Sequence, residues 1–254
     1  MKPVVIVTGA SKGIGLAVTR YLLHKYNANV VAISRTKTPE LDELASDSLM
    51  VVECDIADDK AFSDAISQGV SRYQTIDGLI LNAATLDPLG RIGGDSSLDA
   101  WRKHFDVNFF SLVTAAKATL PYLQKSQNNG GRIVFVSSGA AVKGTAGWGP
   151  YNASKAAMNS LCRTLAEEAP DVVSLAVRPG MVDTNMQGTL RSTGGAHMNE
   201  KEHQFFIQAH LEGKLVKPED CGHVIAALSV HASRSLSGQF VSWDSEECKP
   251  YRNE

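Results

Sequence analysis

Tyr151 and Lys155 stand four residues apart in GWGPYNASKAAMNSL, where a Gly-Trp-Gly-Pro stretch gives way to helix formers. Positions i and i+4 share a helix face, so the phenol and the ammonium project together. A phenol titrates near pH ~10, and bringing it to neutrality takes about 3 units, roughly 4 kcal/mol. One ammonium at about 4–5 Å, with an effective dielectric near 20, supplies roughly that much. The spacing therefore describes a phenol able to give or take a proton at working pH. Taken alone, it equally describes a partly buried tyrosine beside a surface lysine.

A second cluster lies near the N-terminus. VVIVT (Val4–Thr8) reads as a strand, followed by Gly9, Ala10, Ser11, Lys12, Gly13, Ile14 and Gly15, then a helical pattern. Glycines there let the backbone turn sharply and approach a pyrophosphate, and the helix start offers free N–H groups. The GxxxGxG spacing differs from GxGxxG, so its place between strand and helix carries the reading. The next strand ends in Ser34-Arg35 without the acid that holds a ribose 2′-hydroxyl. Arg35, with Lys12, suits a 2′-phosphate instead, so NADP(H) is expected over NAD(H).

These residues need a scaffold. Val4–Thr8, Asn29–Ile33, Met50–Cys54, Gly78–Asn82, Arg132–Ser137 and Val172–Val177 are short β-branched runs, nearly continuous in apolar residues. That is the pattern of strands buried on both faces. Helices are expected at Gly13–Lys25, Asp58–Tyr73, Trp101–Gln124 and Tyr151–Glu168. The alternation implies an α/β fold, a doubly wound parallel sheet with helices on both faces, in one domain over residues 1–254. Gln187–Gly213, rich in Gly, Thr, Asn, Glu and His, breaks the alternation and is expected to be a mobile lid or disordered. His197, His203 and His210 are expected to be solvated there.

Composition narrows the partners. The 254 residues are 43% hydrophobic with net charge -2, which gives no footprint for nucleic acid or an anionic membrane. Cys54, Cys162, Cys221 and Cys248 lack CxxC spacing, so neither a metal site nor a disulfide framework is signalled. They read as free thiols of a reducing compartment. The run MKPVVIVTGA is too short for a signal peptide and no window reaches the length of a membrane span, so a cytoplasmic protein is expected.

TGASKGIG (Thr8–Gly15), Asp55, Asn82-Ala83-Ala84, Asn108, Ser137-Ser138, YNASK (Tyr151–Lys155) and PGMVDT (Pro179–Thr184) occur in order. Together they resemble the single-domain branch of the short-chain dehydrogenase/reductase superfamily, over Val4 to about Thr184 and again at Leu236–Trp243. The resemblance implies a Rossmann sheet of about seven strands. It makes Tyr151 the proton donor, Lys155 the residue that lowers the phenol and holds the nicotinamide ribose, and Ser138 the group that orients the substrate oxygen. Asn108 is implied to interrupt its helix and help hold a proton-relay water. Asp55 and Ile56 match the pair beside the adenine. The loop Pro179, Gly180, Val182 and Thr184 matches the one around the nicotinamide. Gly9, Ser11, Lys12, Gly13, Ile14, Gly15, Ser34, Arg35, Asn82 and Ala83 complete the cofactor set. Ala84 stands where the family usually has glycine, so a small shift of the cofactor is implied.

WRKHFDVNFFS (Trp101–Ser111), Ser137–Asn159 and PGMVDTNMQ (Pro179–Gln187) are similar to the benzil reductase and sepiapterin reductase group, NADPH-dependent reductases of ketones and vicinal dicarbonyls. Trp148 then either walls the pocket or only packs its loop, and Met181, Met186 and Phe205 complete the wall. The expected activity is reduction of a small-molecule carbonyl. The alternatives are oxidation of a secondary alcohol, or a cofactor-sensing regulator on the same fold. Pairing of the long helices, as in the family, implies a homodimer or homotetramer.

Overall fold

The computed structural model describes residues 2–252. Its elements run β1 (Val4–Thr8), α1 (Gly13–His24), β2 (Asn29–Ser34), α2 (Pro39–Asp42), β3 (Leu49–Glu53), α3 (Asp59–Tyr73), β4 (Gly78–Leu81) and α4 (Leu98–Phe105). After a π turn at Asp106–Phe110 come α5 (Ser111–Leu123), β5 (Arg132–Val136), α6 (Gly149–Glu168), β6 (Val173–Arg178), α7 (Asn185–Thr193), α8 (Glu200–Leu211), α9 (Pro218–His231) and β7 (Phe240–Ser242). Among the described residues one sheet forms, in the order β3-β2-β1-β4-β5-β6-β7. Every pairing in it is parallel.

β1 shows why the sheet is layered. All five of its residues are buried. Alternation along a strand sends Val5 and Val7 to one face and Val4 and Ile6 to the other. The first face packs on α1 and α9 through Val18, Leu22, Val224 and Leu228. The second packs on α3, α5 and α6 through Phe62, Ile66, Leu112 and Met158. Chain order reverses between β1 and β4, and the carboxyl ends of the strands there open the crevice where doubly wound sheets take ligands.

The structure bears out one implied interruption and corrects the sequence reading in two places. Trp101–Gln124 is helical as expected, and the interruption implied at Asn108 is a π turn at Asp106–Phe110 between α4 and α5. The 187–213 segment is ordered helix, with α7 and α8 packed on each other, not irregular chain. α9 was not expected at all. It is apolar all round, with Cys221, Gly222 and Val224 to Val230 buried, so it lacks the amphipathic stripe that marks a surface helix. It lies against α1 through small residues: a Cβ on Gly222 would come 2.9 Å from the Ala17 Cβ. Gly222→Val is therefore expected to wedge the two helices apart and cost about 1–3 kcal/mol. Urea unfolding checks this, through a lower midpoint at unchanged slope.

Candidate active site

The glycine loop sits at the crevice. Gly9 (φ +66°) and Gly13 (φ +53°) adopt backbone that side chains rarely take. A Cβ on Gly15 would collide with the Gly9 carbonyl oxygen. Asn82, at the end of β4, donates from Nδ2 to Thr8 O at 2.9 Å and to Gly9 O at 3.2 Å, pinning the loop. The Thr8 hydroxyl accepts from the Ala83 amide at 3.1 Å. α1 starts at Lys12 without a side-chain cap and without an acid in its first turn, which leaves its N–H groups to an anion. Ser11 is buried and Ile14 half-buried. Thr184 approaches from the opposite side: its methyl would lie 3.0 Å from a Cβ on Gly13. These features fit a dinucleotide: a cradle with no room for side chains, facing uncapped amides.

The flanks of the cradle differ in charge. Lys12 and Arg35 are exposed and, among the described residues, pair with no carboxylate, whereas Lys37 is held by Asp42. The Ser34 hydroxyl is turned onto Thr36 O at 3.0 Å. Asp55 is exposed and accepts the Ala57 amide at 3.0 Å, with Ile56 buried beside it. Pro179 and Val182 are buried, and Gly180 turns at φ +81°. Val182 forms a bridge with Val216, and the Met181 carbonyl accepts the Val216 amide at 2.8 Å, so this loop is tied to the chain entering α9.

Tyr151 lies in the first turn of α6, 7% exposed, and Lys155 follows at 2%. The Lys155 Nζ is 5.7 Å from the centre of the phenol ring and donates to Val136 O at 2.7 Å, at the carboxyl end of β5. Burial changes the expected electrostatics. It pushes the Tyr151 phenol above its ordinary value, with the neighbouring Ser138 hydroxyl pulling the other way. It pushes Lys155 down to about 7. The attraction read from spacing left out the cost of desolvating both charges, so the lowering expected for the Tyr151 phenol gives way to a rise in the protein alone. Of the two serines, Ser137 is committed to Asn159 Oδ1 at 2.6 Å, while Ser138 is half-buried beside Tyr151.

Asn108 lies in the π turn and is fully buried. Its Oδ1 accepts the Thr85 amide at 2.8 Å, and its Nδ2 donates to Thr85 O at 2.9 Å and to His104 Nε2 at 2.9 Å. The sequence reading missed His104, which precedes Asn108 by one helical turn and is 1% exposed.

A small apolar cluster closes over Tyr151: Leu86, Ala140, Trp148, Leu190 and Met198, with Met186 and Phe206 at its margin. Trp148 meets Tyr151 edge to face with centroids 5.7 Å apart and stacks on Phe206 at 5.6 Å. Trp148 is thus packed between Tyr151 and Phe206. Phe205, by contrast, is 58% exposed. Neighbours on a helix point about 100° apart, and α8 turns Phe206 inward and Phe205 out; the helical register of α8 was the signal that separates them. Met181 is half-buried, outside this cluster. The histidines of this region are not uniformly solvated. His203 Nε2 donates to Arg191 O at 2.9 Å and joins α8 to α7, His197 is half-buried, and only His210 is exposed. Gly147 (φ +82°) lets the His197 backbone sit on the start of α6, where a Cβ would come 2.9 Å from its carbonyl oxygen.

Comparison with known proteins follows this geometry. The family model described as short chain dehydrogenase matches residues 3–195. An uncharacterised oxidoreductase of Schizosaccharomyces pombe is 42% identical over 246 residues, 95% of this chain and 96% of the relative. A benzil reductase ((S)-benzoin forming) of Saccharomyces cerevisiae is 34% identical over 261 residues, 98% of this chain and 99% of the relative. The crystal structure of a short chain dehydrogenase/reductase from S. cerevisiae superposes with TM-score 0.92 at 32% identity, over 98% of this chain and 99% of that one.

The buried lysine makes a measurable prediction. Its value near 7 lies below the ordinary 10.5, so between the two the unfolded chain holds a proton the folded chain has released, and stability rises with pH across that window. Lys155→Met is expected to be more stable than wild type near pH 6 by about 1–4 kcal/mol, with the margin shrinking toward pH 10. Urea unfolding at both pH values checks it; a variant less stable at the lower pH contradicts it.

Proposed function

The chain belongs to the short chain dehydrogenase family, and from that premise we propose that it is an NADPH-dependent reductase of ketones or vicinal dicarbonyls. One observation carries the reading. A buried phenol stands between a half-buried serine and a buried lysine that is anchored at the carboxyl end of β5. Members of this family use NAD(P), and when bound the dinucleotide supplies the hydride. Ser138 and Tyr151 bind the substrate oxygen, and the phenol passes its proton to that oxygen as negative charge develops there. The phenolate left behind is stabilised by the Lys155 ammonium across the low-dielectric site. Reduction starts from Tyr151 in the protonated form that burial favours in the protein alone.

Four further assignments complete the proposal. The unpaired cations Lys12 and Arg35 support NADP(H) over NAD(H). The apolar wall of Trp148, Phe206, Leu190 and Met198 supports an aryl or bulky apolar carbonyl, in line with the benzil reductase relative. Four buried free thiols support a cytoplasmic setting, and Phe110, 51% exposed after α4, supports pairing of chains along these helices. Among the described residues, no helix is long and apolar enough to cross a membrane.

Two variants test the reading. Tyr151→Phe is expected to bind NADPH as wild type does and to lose about a thousandfold in kcat with benzil; full turnover ends the mechanism. Arg35→Asp is expected to lower kcat/KM with NADPH at least about tenfold and to raise preference for NADH, since a carboxylate repels the 2′-phosphate. An unchanged cofactor ratio would remove Arg35 from the site.

A further inference from the structure

His104 belongs to no part of the mechanism above, yet it is buried directly behind it. Its ring lies edge to face with Tyr151, centroids 6.2 Å apart, on α4 just before the π turn. Nδ1 is 2.6 Å from Asp87 O, a group that can only accept, so Nδ1 carries the proton and Nε2 is left as an acceptor. Two groups reach that single lone pair: Asn108 Nδ2 at 2.9 Å and Ser154 Oγ at 3.0 Å. The Ser154 hydroxyl has a second acceptor, Tyr151 O at 3.0 Å. Asn108 Nδ2 has spent its other hydrogen on Thr85 O. The arrangement that uses the shortest contacts has Ser154 donating to Tyr151 O and Asn108 donating to His104, since Ser154 Oγ lies 3.5 Å from Asn108 Nδ2.

We propose that His104 is a positioning residue for the reductase site: its neutral imidazole, anchored on Asp87 O, fixes the Asn108 amide and the π turn against the helix that carries Tyr151 and Lys155. The role rests on the reductase reading, and it comes from this chain's own side chains. An apolar residue at 104 leaves the buried Asn108 N–H only the distant Ser154 Oγ, 3.5 Å away, as acceptor. That loosens the link between the loop after β4 and the start of α6, which the proton donor depends on. Burial keeps the imidazole below its ordinary value, so it stays neutral at working pH.

The test is a rank order. His104→Phe keeps the ring packing and loses the acceptor. His104→Gln loses the ring but carries an amide oxygen about as far out as Nε2. The expected result is kcat about tenfold down in His104→Phe, KM for NADPH and ketone within about twofold, and most of kcat regained in His104→Gln. A packing role predicts the opposite order, and that order overturns the proposal. Long-range 1H–15N correlation on the wild type reads the tautomer without turnover: a proton on Nδ1 with Nε2 bare is expected, and a proton on Nε2 refutes the assignment. A wild type silent on every ketone would end the reductase reading, and the tautomer would still decide whether His104 holds Asn108. Failure of His104→Phe to fold likewise leaves that spectrum to decide.

Discussion

The site depends on burying two ionisable groups side by side with, among the described residues, no carboxylate paired to the lysine. Tyr151 and Lys155 are almost fully enclosed, and burial drives each toward its neutral form. Their proximity pulls the other way, because an ammonium favours a phenolate. Desolvation wins for the isolated protein, so the phenol stands as an acid, and the charged form of Lys155 is favoured once negative charge appears beside it. Such a pair costs stability, and the surrounding fold must supply it.

The supply comes from the sheet. β1 and β5 are wholly buried strands, and their carboxyl ends hold the glycine loop and the Val136 carbonyl that anchors Lys155. Asn82 ties β4 to the glycine loop, and Asn108 ties the loop after β4 to the π turn. The proposed dinucleotide cradle and proton donor are therefore set by neighbouring strands of one rigid sheet. The apolar cover is built differently, from α7, α8 and Trp148, elements outside the sheet that hold it through the Trp148–Phe206 stack, the His203–Arg191 hydrogen bond and the close seat of His197 on Gly147.

What was legible in the sequence follows the same division. Strands buried on both faces are continuous apolar runs, so six of them could be read from the residues. β7, three residues long, was legible only through resemblance at Leu236–Trp243. Positions held by backbone necessity, such as Gly9, Gly13 and Gly15, were also plain. α9 was hidden because a helix apolar all round has no stripe to detect. Phe206 was mistaken for Phe205 because segment 187–213 was taken as irregular, and without a helix there is no register. His104 was hidden because its importance lies in which lone pair faces Asn108, a matter of three dimensions. The sign of the tyrosine shift was misjudged because spacing gives charge separation and says nothing of solvent.

The most direct measurement is the ionisation of Tyr151 itself. Tyrosinate absorbance of the wild type, minus that of Tyr151→Phe, isolates one phenol across an alkaline titration. With no cofactor added, a transition above the ordinary tyrosine value of 10 is predicted, moving downward when NADP+ brings positive charge beside it. A phenol already ionised near neutrality in the protein alone would contradict the claim that burial keeps the proton on Tyr151 for delivery to a carbonyl.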